Sequence, residues 1–131
     1  MNVFCELGWQ SIWNDFVAAQ RLKTIKLFQN NYVPLLTDVV AAYTEATFSG
    51  YASQTLAWGS AFINGSIQAE IDATPLTFTR SAGATSNTIY GIYVIDNAGV
   101  LTYAERFPAP VSMSSAGDAI TYTPKATLIN Q

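Results

Sequence analysis

The chain has 131 residues, half of them hydrophobic, with only 11% charged and a net charge of −3. This length suits a single domain, and the hydrophobic content argues against intrinsic disorder. Scattered Lys and Arg in an acidic chain argue against binding to nucleic acid. One cysteine and no histidine exclude an intrachain disulfide and a Ser-His or Cys-His catalytic pair. The same shortage argues against a zinc, haem or iron–sulfur site, so we expect no metal and no cofactor.

The low charge content also bears on whether the chain assembles with other protein copies. An average soluble domain is about a quarter charged, whereas this chain is 11% charged. Such a surface favours a chain that packs against other protein copies, and the alternative is a neutral, Thr-rich monomer. No apolar run reaches the ~20 residues of a membrane span, so we expect no membrane association. The first residues lack a basic segment and include Glu6, so we predict no signal peptide.

The first twenty residues differ from the rest of the chain. Their aromatic side chains recur at helical spacing, at Trp9, Trp13 and Phe16. Gly8 or Ser11 is a suitable cap for a helix that runs to about Ala19. Residues 1–20 are therefore either a helix that closes the open end of a sheet or an arm anchored in a neighbouring subunit. Both alternatives stay open, because tryptophan is also enriched at interface hot spots.

A strand and a short helix are predicted next. Alternating side chains indicate a strand over 21–29, followed by a turn at Asn30-Asn31. A short helix over about 38–44 is predicted, with Thr37 or Asp38 as its cap. Its apolar face would consist of Leu36, Val39, Val40 and Tyr43.

From Ser53 onward the sequence predicts only strands, near 53–58, 66–72 and 75–80. Asn64-Gly65 is the strongest hairpin signal in the chain. In the strand that follows, Glu70 and Asp72 alternate with apolar residues, so one face is expected to be solvated. The small residues of 81–87 predict a mobile loop.

The central hairpin follows, and both faces of its first strand are apolar over 89–95. This pattern predicts a central strand covered on both sides, by a second sheet on one face and by a helix, a loop or another subunit on the other. Asp96 to Gly99 is a turn. Pro108 and Pro110 are expected to end the return strand, because proline cannot donate to a strand ladder. A last strand is predicted around Ile120 and Tyr122, and residues 125–131 form a tail that pairs weakly at an edge or extends to a neighbour.

Seven or eight short strands about ten residues apart indicate the fold class. We predict a mainly β, single-domain antiparallel β-sandwich or barrel, of jelly-roll or immunoglobulin-like type, over 21–131. One or two short helices are expected near the N-terminus, with 1–20 as the arm or helix.

Carboxylates are the only plausible catalytic groups, and they are Glu70, Asp72 and Glu105. A glycosidase needs two carboxyl groups ~5–10 Å apart, but two acids at i, i+2 on a strand are far more typical of a solvated face. We therefore predict no enzymatic activity. Trp58, beside Gly59 and Ser60, is the best candidate for an exposed ring. The candidate interface consists of Trp9, Trp13, Phe16 and Trp58.

Two segments carry a resemblance to a known class of proteins. Residues 27–31 read L-F-Q-N-N and, after Pro34, residues 42–52 read A-Y-T-E-A-T-F-S-G-Y-A. This sequence resembles small virion-associated proteins of tailed bacteriophages, and the similarity spans most of 21–123. Further similar stretches are Ile89-Tyr90-Gly91, Ala104-Glu105-Arg106-Phe107 and Gly117-Asp118. Residues 1–20 look like an extension relative to that pattern.

The resemblance implies a phage structural role and no catalytic residues. The expected function is a capsid cement or decoration protein that stabilises the particle through oligomeric contacts. The expected partners are further copies of the chain, with a trimer as the favoured form, and the major capsid protein or another virion protein. The expected location is the virion, after synthesis in the host cytoplasm. The alternative is a carbohydrate- or receptor-binding module of a fibre or baseplate, which would use aromatic rings such as Trp58.

Overall fold

The computed structural model describes residues 6–63 and 69–128 of the chain. Antiparallel strands dominate this part, and one helix, α1 (Glu6–Ala18), precedes them. The strands in these residues are β1 (Thr24–Phe28), β2 (Gln54–Thr55), β3 (Phe62–Ile63), β4 (Ala69–Asp72), β5 (Leu76–Thr79), β6 (Asn87–Ile95), β7 (Leu101–Met113), β8 (Ala119–Tyr122) and β9 (Lys125–Leu128).

The strands form a four-stranded sheet in the order β2-β1-β6-β7, a three-stranded sheet in the order β3-β4-β9, and the pair β5-β8. All strand pairs are antiparallel. The predicted fold class is confirmed: the chain is mainly β, with a sandwich-like arrangement and a short helix near its N-terminus.

The central position of β6 is also confirmed, and two separate clusters cover its faces. Ile92 and Val94 point into the main core, which includes Phe78 of β5 and Ile120 of β8. Tyr93, on the opposite face, belongs to a second cluster beneath the loop between β1 and β2. The second face is therefore covered by a loop of the same chain.

Pro108 and Pro110 do not end the return strand, so this prediction was wrong. Ile89 pairs with Val111, whereas Gly91 pairs with Arg106. Residues 107–110 thus form a bulge opposite a single residue of β6, and β7 resumes pairing beyond it. Proline is tolerated here because β7 is an outer strand and the bulged residues need not donate to the ladder.

The helix predicted over 38–44 was also wrong, because only a single 3-10 turn forms, over Val40–Ala42. Asp38 does not cap a helix. Its carboxylate accepts hydrogen bonds from the backbone N–H of Leu35 and from two tyrosine hydroxyls. Such side-chain bonds compete with helix formation. The predicted apolar face is split, since Tyr43 is buried while Leu36 and Val39 face solvent.

The predicted hairpin around Asn64-Gly65 is confirmed by the pairing of Phe62 with Glu70, although the turn itself lies outside the described residues. The solvated face predicted for β4 was wrong at one position. Glu70 is only 5% exposed, and one of its carboxylate oxygens lies 2.8 Å from Nζ of Lys125 on β9. The tail predicted to pair at an edge thus supplies the partner of this buried acid.

Helix α1 begins at Glu6, so neither Gly8 nor Ser11 caps it, and it ends at Ala18, close to the predicted end. It packs against β3 and β4 of its own chain. Asn14 Oδ1 accepts a hydrogen bond of 3.2 Å from the N–H of Ala61. The helix therefore lies against the three-stranded sheet of its own chain.

The loop after β5 is organised by Arg80, which is 5% exposed. Its guanidinium donates to the carbonyl oxygens of Ser81, Gly83 and Thr85 at 2.7–3.3 Å. Ser49 adds hydrogen bonds to the loop, from the N–H of Ser81 to its carbonyl and from the N–H of Thr85 to its hydroxyl. The loop is thus wrapped around a buried cation.

Replacing Gly91 by Ala tests how tightly β6 packs against β7 and the ring of Phe28. A Cβ at Gly91 would lie 2.1 Å from the carbonyl oxygen of Glu105 and 2.7 Å from the ring of Phe28. We expect Gly91→Ala to lower the free energy of unfolding in urea by about 1–3 kcal/mol, as overpacking does. Gly59→Ala is the matched control, because its Cβ would approach nothing closer than 3.4 Å. Equal stability of the two variants would contradict the tight packing of β6.

Candidate functional site

The sequence analysis considered three carboxylates and predicted no enzymatic activity, and two of the three, Glu70 and Glu105, are held by contacts within the chain. Glu70 is paired with Lys125, whose pKa is raised by this hydrogen bond. The Asp72 side chain is exposed, and Asp72 lies opposite Lys125 in the register of β4 and β9. Glu105 accepts hydrogen bonds from the hydroxyls of Tyr103 and Tyr122.

The pKa values of Tyr103 and Tyr122, the two tyrosines that bind Glu105, are raised. Burial raises the pKa of Tyr103 to about 12, assisted by its hydrogen bond to Glu105. Burial raises the pKa of Tyr122 as well, and its hydrogen bond to Glu105 adds to the effect. Both hydroxyls therefore remain protonated donors at neutral pH. Within the described residues no group of three or more acidic or cysteine side chains could hold a metal ion.

Two of the four residues of the predicted aromatic interface, Phe16 and Trp58, have side chains that the structure describes. Trp58 is not the exposed ring that the sequence predicted: it is partly buried against the main core, and its Nε1 donates to the carbonyl oxygen of Leu22 at 2.9 Å. Trp58 and Phe16 line a common cavity of about 280 Å³, together with Tyr103 and Tyr122. The side chains of Trp9 and Trp13 lie outside the described part of the structure.

The strongest candidate site was missed in the sequence and lies in the loop between β1 and β2. Four large apolar side chains of residues 33–39, the apolar loop, face solvent. Their exposed fractions are 63% for Val33, 60% for Leu35, 108% for Leu36 and 65% for Val39. Isolated exposed apolar residues are common, but a contiguous group marks an interaction site.

A groove of about 410 Å³ separates the apolar loop from the first residues of β7. Leu35 and Leu36 form one wall, and residues 101–104 of β7 form the other. Val100, which precedes these residues, adds to the exposed apolar surface on the β7 side. The loop and the strand therefore form one continuous surface, which we call the loop–groove surface.

Asp38 holds the apolar loop in place. Its carboxylate oxygens accept hydrogen bonds from the hydroxyl of Tyr32 at 2.7 Å, from the hydroxyl of Tyr43 at 2.8 Å and from the N–H of Leu35 at 2.8 Å. The bond from Leu35 contributes most to lowering the pKa of Asp38, followed by that from Tyr32. Burial and the Asp38 carboxylate raise the pKa of Tyr43. The ionised carboxylate of Asp38 thus binds residues on both sides of it in the chain, Tyr32 and Leu35 before it and Tyr43 after it.

Arg106 of β7 provides a second attachment. Its guanidinium donates to the carbonyl oxygen of Tyr32 and to Oδ1 of Asn31, both at 2.7 Å. The same group lies 5.2 Å from the centre of the Tyr90 ring, within the range of a cation–π contact. This fork of hydrogen bonds ties the start of the apolar loop to the strand across the groove.

An aromatic stack lies beneath the loop. Tyr43 stacks on Tyr93 of β6, with ring centres 5.2 Å apart, and it meets the rings of Phe28 and Tyr32 edge-on at 5.1 and 5.6 Å. These offset and edge-on arrangements are favoured by aromatic rings. The apolar loop is therefore seated on a packed base, and its exposed side chains are presented from an ordered support.

A sequence signal for this surface existed. Val33, Pro34, Leu35 and Leu36 are consecutive apolar residues, and such a run has neither the alternation of a half-buried strand nor the spacing of a helix face. Runs of this kind at a surface indicate function. The exposed surface was missed because Leu36 and Val39 were assigned to the apolar face of a predicted helix.

Comparison with protein-family models, with curated proteins and with solved structures found no match to this chain. Among the described residues, no helix has the length and apolar character needed to cross a bilayer.

The Asp38 network predicts a pH-dependent contribution to stability. Because the folded state lowers the pKa of Asp38 below its usual ~3.9, the stabilisation is complete above about pH 4 and is lost as the pH falls through the folded-state pKa. Asp38→Asn should therefore unfold more easily than wild type at pH 6, with a difference that shrinks toward pH 2.5. Urea titrations at several pH values measure this difference.

Two further variants serve as controls for this pH effect. Tyr32→Phe and Tyr43→Phe each remove one donor to Asp38 and leave the carboxylate in place. We expect each to reduce the pH dependence in part. A difference between wild type and Asp38→Asn that stays constant from pH 6 to pH 2.5 would contradict the network.

Proposed function

We propose that the protein is a non-enzymatic structural protein that acts by binding other protein chains through the loop–groove surface. The observation that carries this proposal is the exposure of Val33, Leu35, Leu36 and Val39 on an anchored loop. Soluble monomers rarely expose large contiguous apolar patches, and such patches mark interaction sites. The sparse charge of the chain is in keeping with a surface that other copies cover.

The energetics of such a contact are favourable. Burying a large aliphatic side chain contributes about 1.5–3 kcal/mol, and four such side chains project from the apolar loop. Ordering a flexible loop on binding would offset part of this gain. Asp38 and Arg106 already hold the loop in the free chain, so little further ordering is needed.

We propose further that the assembly is the particle of a tailed bacteriophage, with the protein acting as a capsid cement or decoration protein. The resemblance in 27–31 and 42–52 supports this, and these residues build the support of the apolar loop. Asn30 donates to the carbonyl oxygen of Ala42 and accepts from the N–H of Thr44. Glu45 accepts from Lys26 and from the hydroxyl of Tyr51. A weak contact repeated over a lattice is sufficient to reinforce a shell.

Virion association tests this function. Purified phage particles that contain the chain should lose it when Leu36→Asp is substituted, because an added charge on the apolar loop opposes burial. Ala116→Asp places the same charge in an exposed turn and should leave virion incorporation unchanged. Quantitative mass spectrometry of gradient-purified particles measures the copy number of each variant.

Two results would contradict the proposal. One is the absence of the wild-type chain from purified virions. The other is equal incorporation of Leu36→Asp and the wild type, which would separate the loop–groove surface from the virion contact.

A further inference from the structure

We infer that the partner of the loop–groove surface is a second copy of this chain, with Leu36 of each copy inserted into the groove of the other around a two-fold axis. The inference deepens the proposed function and rests on it, because it names the first partner that the surface binds. Three features carry it: the shape of the surface, its charge and its position at the edge of a sheet.

The shape of the surface is self-complementary. Leu36 is 108% exposed, so its side chain projects freely from the apolar loop. Beside it lies a groove of about 410 Å³ with apolar walls that include Pro34, Leu101 and Ala104. One surface therefore carries both an apolar projection and an apolar recess that can receive a leucine side chain.

Because the Leu36 side chain and the groove lie next to each other, the contact between two copies is reciprocal. Leu36 forms one wall of the same groove that its partner would enter. When the partner's Leu36 enters this groove, the first copy's Leu36 lies next to the partner's groove. An isologous contact requires that one patch bind an identical patch in this way. Such a contact closes at two copies, whereas the trimer favoured by the sequence analysis requires a contact between two different patches.

The charge of the surface permits two identical copies to meet. The chain has a net charge of −3, so two copies carry net charges of the same sign. At the groove, Asp38 is bound by Tyr32, Tyr43 and the N–H of Leu35. Arg106 lies close by and donates to Tyr32 and Asn31. Asp38, which lines the groove, is therefore already bound by three donors of its own chain.

The groove also lies at an accessible sheet edge. β7 is one of the two outer strands of the four-stranded sheet, and outer strands are places where other chains dock. Its second half is protected by Pro108, Pro110 and a bulge, devices that discourage such docking. Residues 101–104, which line the groove, contain neither proline nor lysine. The unprotected half of the strand is therefore the half that faces the apolar loop.

Sedimentation velocity over a wide concentration range provides the first test. The wild-type chain should show a monomer–dimer equilibrium. Leu36→Asp should raise the dissociation constant of the dimer at least tenfold. Two control variants should still dimerise: Leu36→Met, which keeps an apolar projection, and Ala116→Asp, which adds the same charge in an exposed turn. A wild type that stays monomeric at millimolar concentration, or one that forms trimers, would overturn the inference.

Cysteine pairing between two differently labelled copies provides the second test. Each copy carries Cys5→Ala and one new cysteine, either Leu36→Cys or Ala104→Cys. Mixing the two under mild oxidation should give a heterodimer linked from Leu36→Cys to Ala104→Cys. Replacing the second copy by Ala116→Cys should give no such product. If Leu36→Cys links only to itself, the loops meet each other and the insertion of Leu36 into the groove is refuted.

The outcomes separate this inference from the proposed function. A chain that dimerises through the groove but is absent from virions would leave the two-fold contact standing and refute the phage role. A chain found in virions that gives neither dimers nor the mixed disulfide would refute the two-fold contact and leave the phage role standing.

Discussion

The structure depends on one constraint: the central strand β6 carries apolar side chains on both faces, and a chain of 131 residues must keep both faces from water. The pair β5-β8 and the segment that carries Phe48 and Leu56 cover one face. The other face is covered without a second sheet, by a loop whose Tyr43 lies directly on Tyr93. Each remaining feature of the candidate site follows from the use of a loop as a cover.

A loop that covers a sheet must be fixed by groups other than a strand ladder. Here the fixing groups are the Asp38 carboxylate and the Arg106 guanidinium, which bind loop N–H, hydroxyl and carbonyl groups. Because these polar groups and Tyr43 point inward, Leu35 and Leu36 are turned outward. The surface that could bind another chain is thus a by-product of how the loop is attached.

Local sequence patterns identified the features that depend on neighbouring residues. The apolar run of β6 predicted its central position, and Asn64-Gly65 predicted a hairpin that the β3–β4 pairing confirms. Leu76 and Phe78 pointed inward and the threonines between them outward, as the alternation in β5 predicted. Such features need only the period of the strand and the chemistry of the turn.

Features that depend on distant residues were not predictable in this way. The burial of Glu70 depends on Lys125, fifty-five residues later. The role of Asp38 depends on where Tyr32 and Tyr43 meet it, so a helix cap was an equally good local interpretation. The loop–groove surface was missed for the same reason: whether Leu36 is covered depends on the tertiary position of the loop.

The wrapping of residues 81–85 around Arg80 has a consequence for protease accessibility. Trypsin cuts after arginine only where several residues can extend into its active site, and the Arg80 side chain is instead enclosed by the carbonyl oxygens of the residues that follow it. The Arg80–Ser81 bond is therefore closed to cleavage in the folded chain. Cleavage at that bond would show that the pairing of β5 with β8 has been lost. The peptide that ends at Arg80 is therefore a marker for loss of the fold.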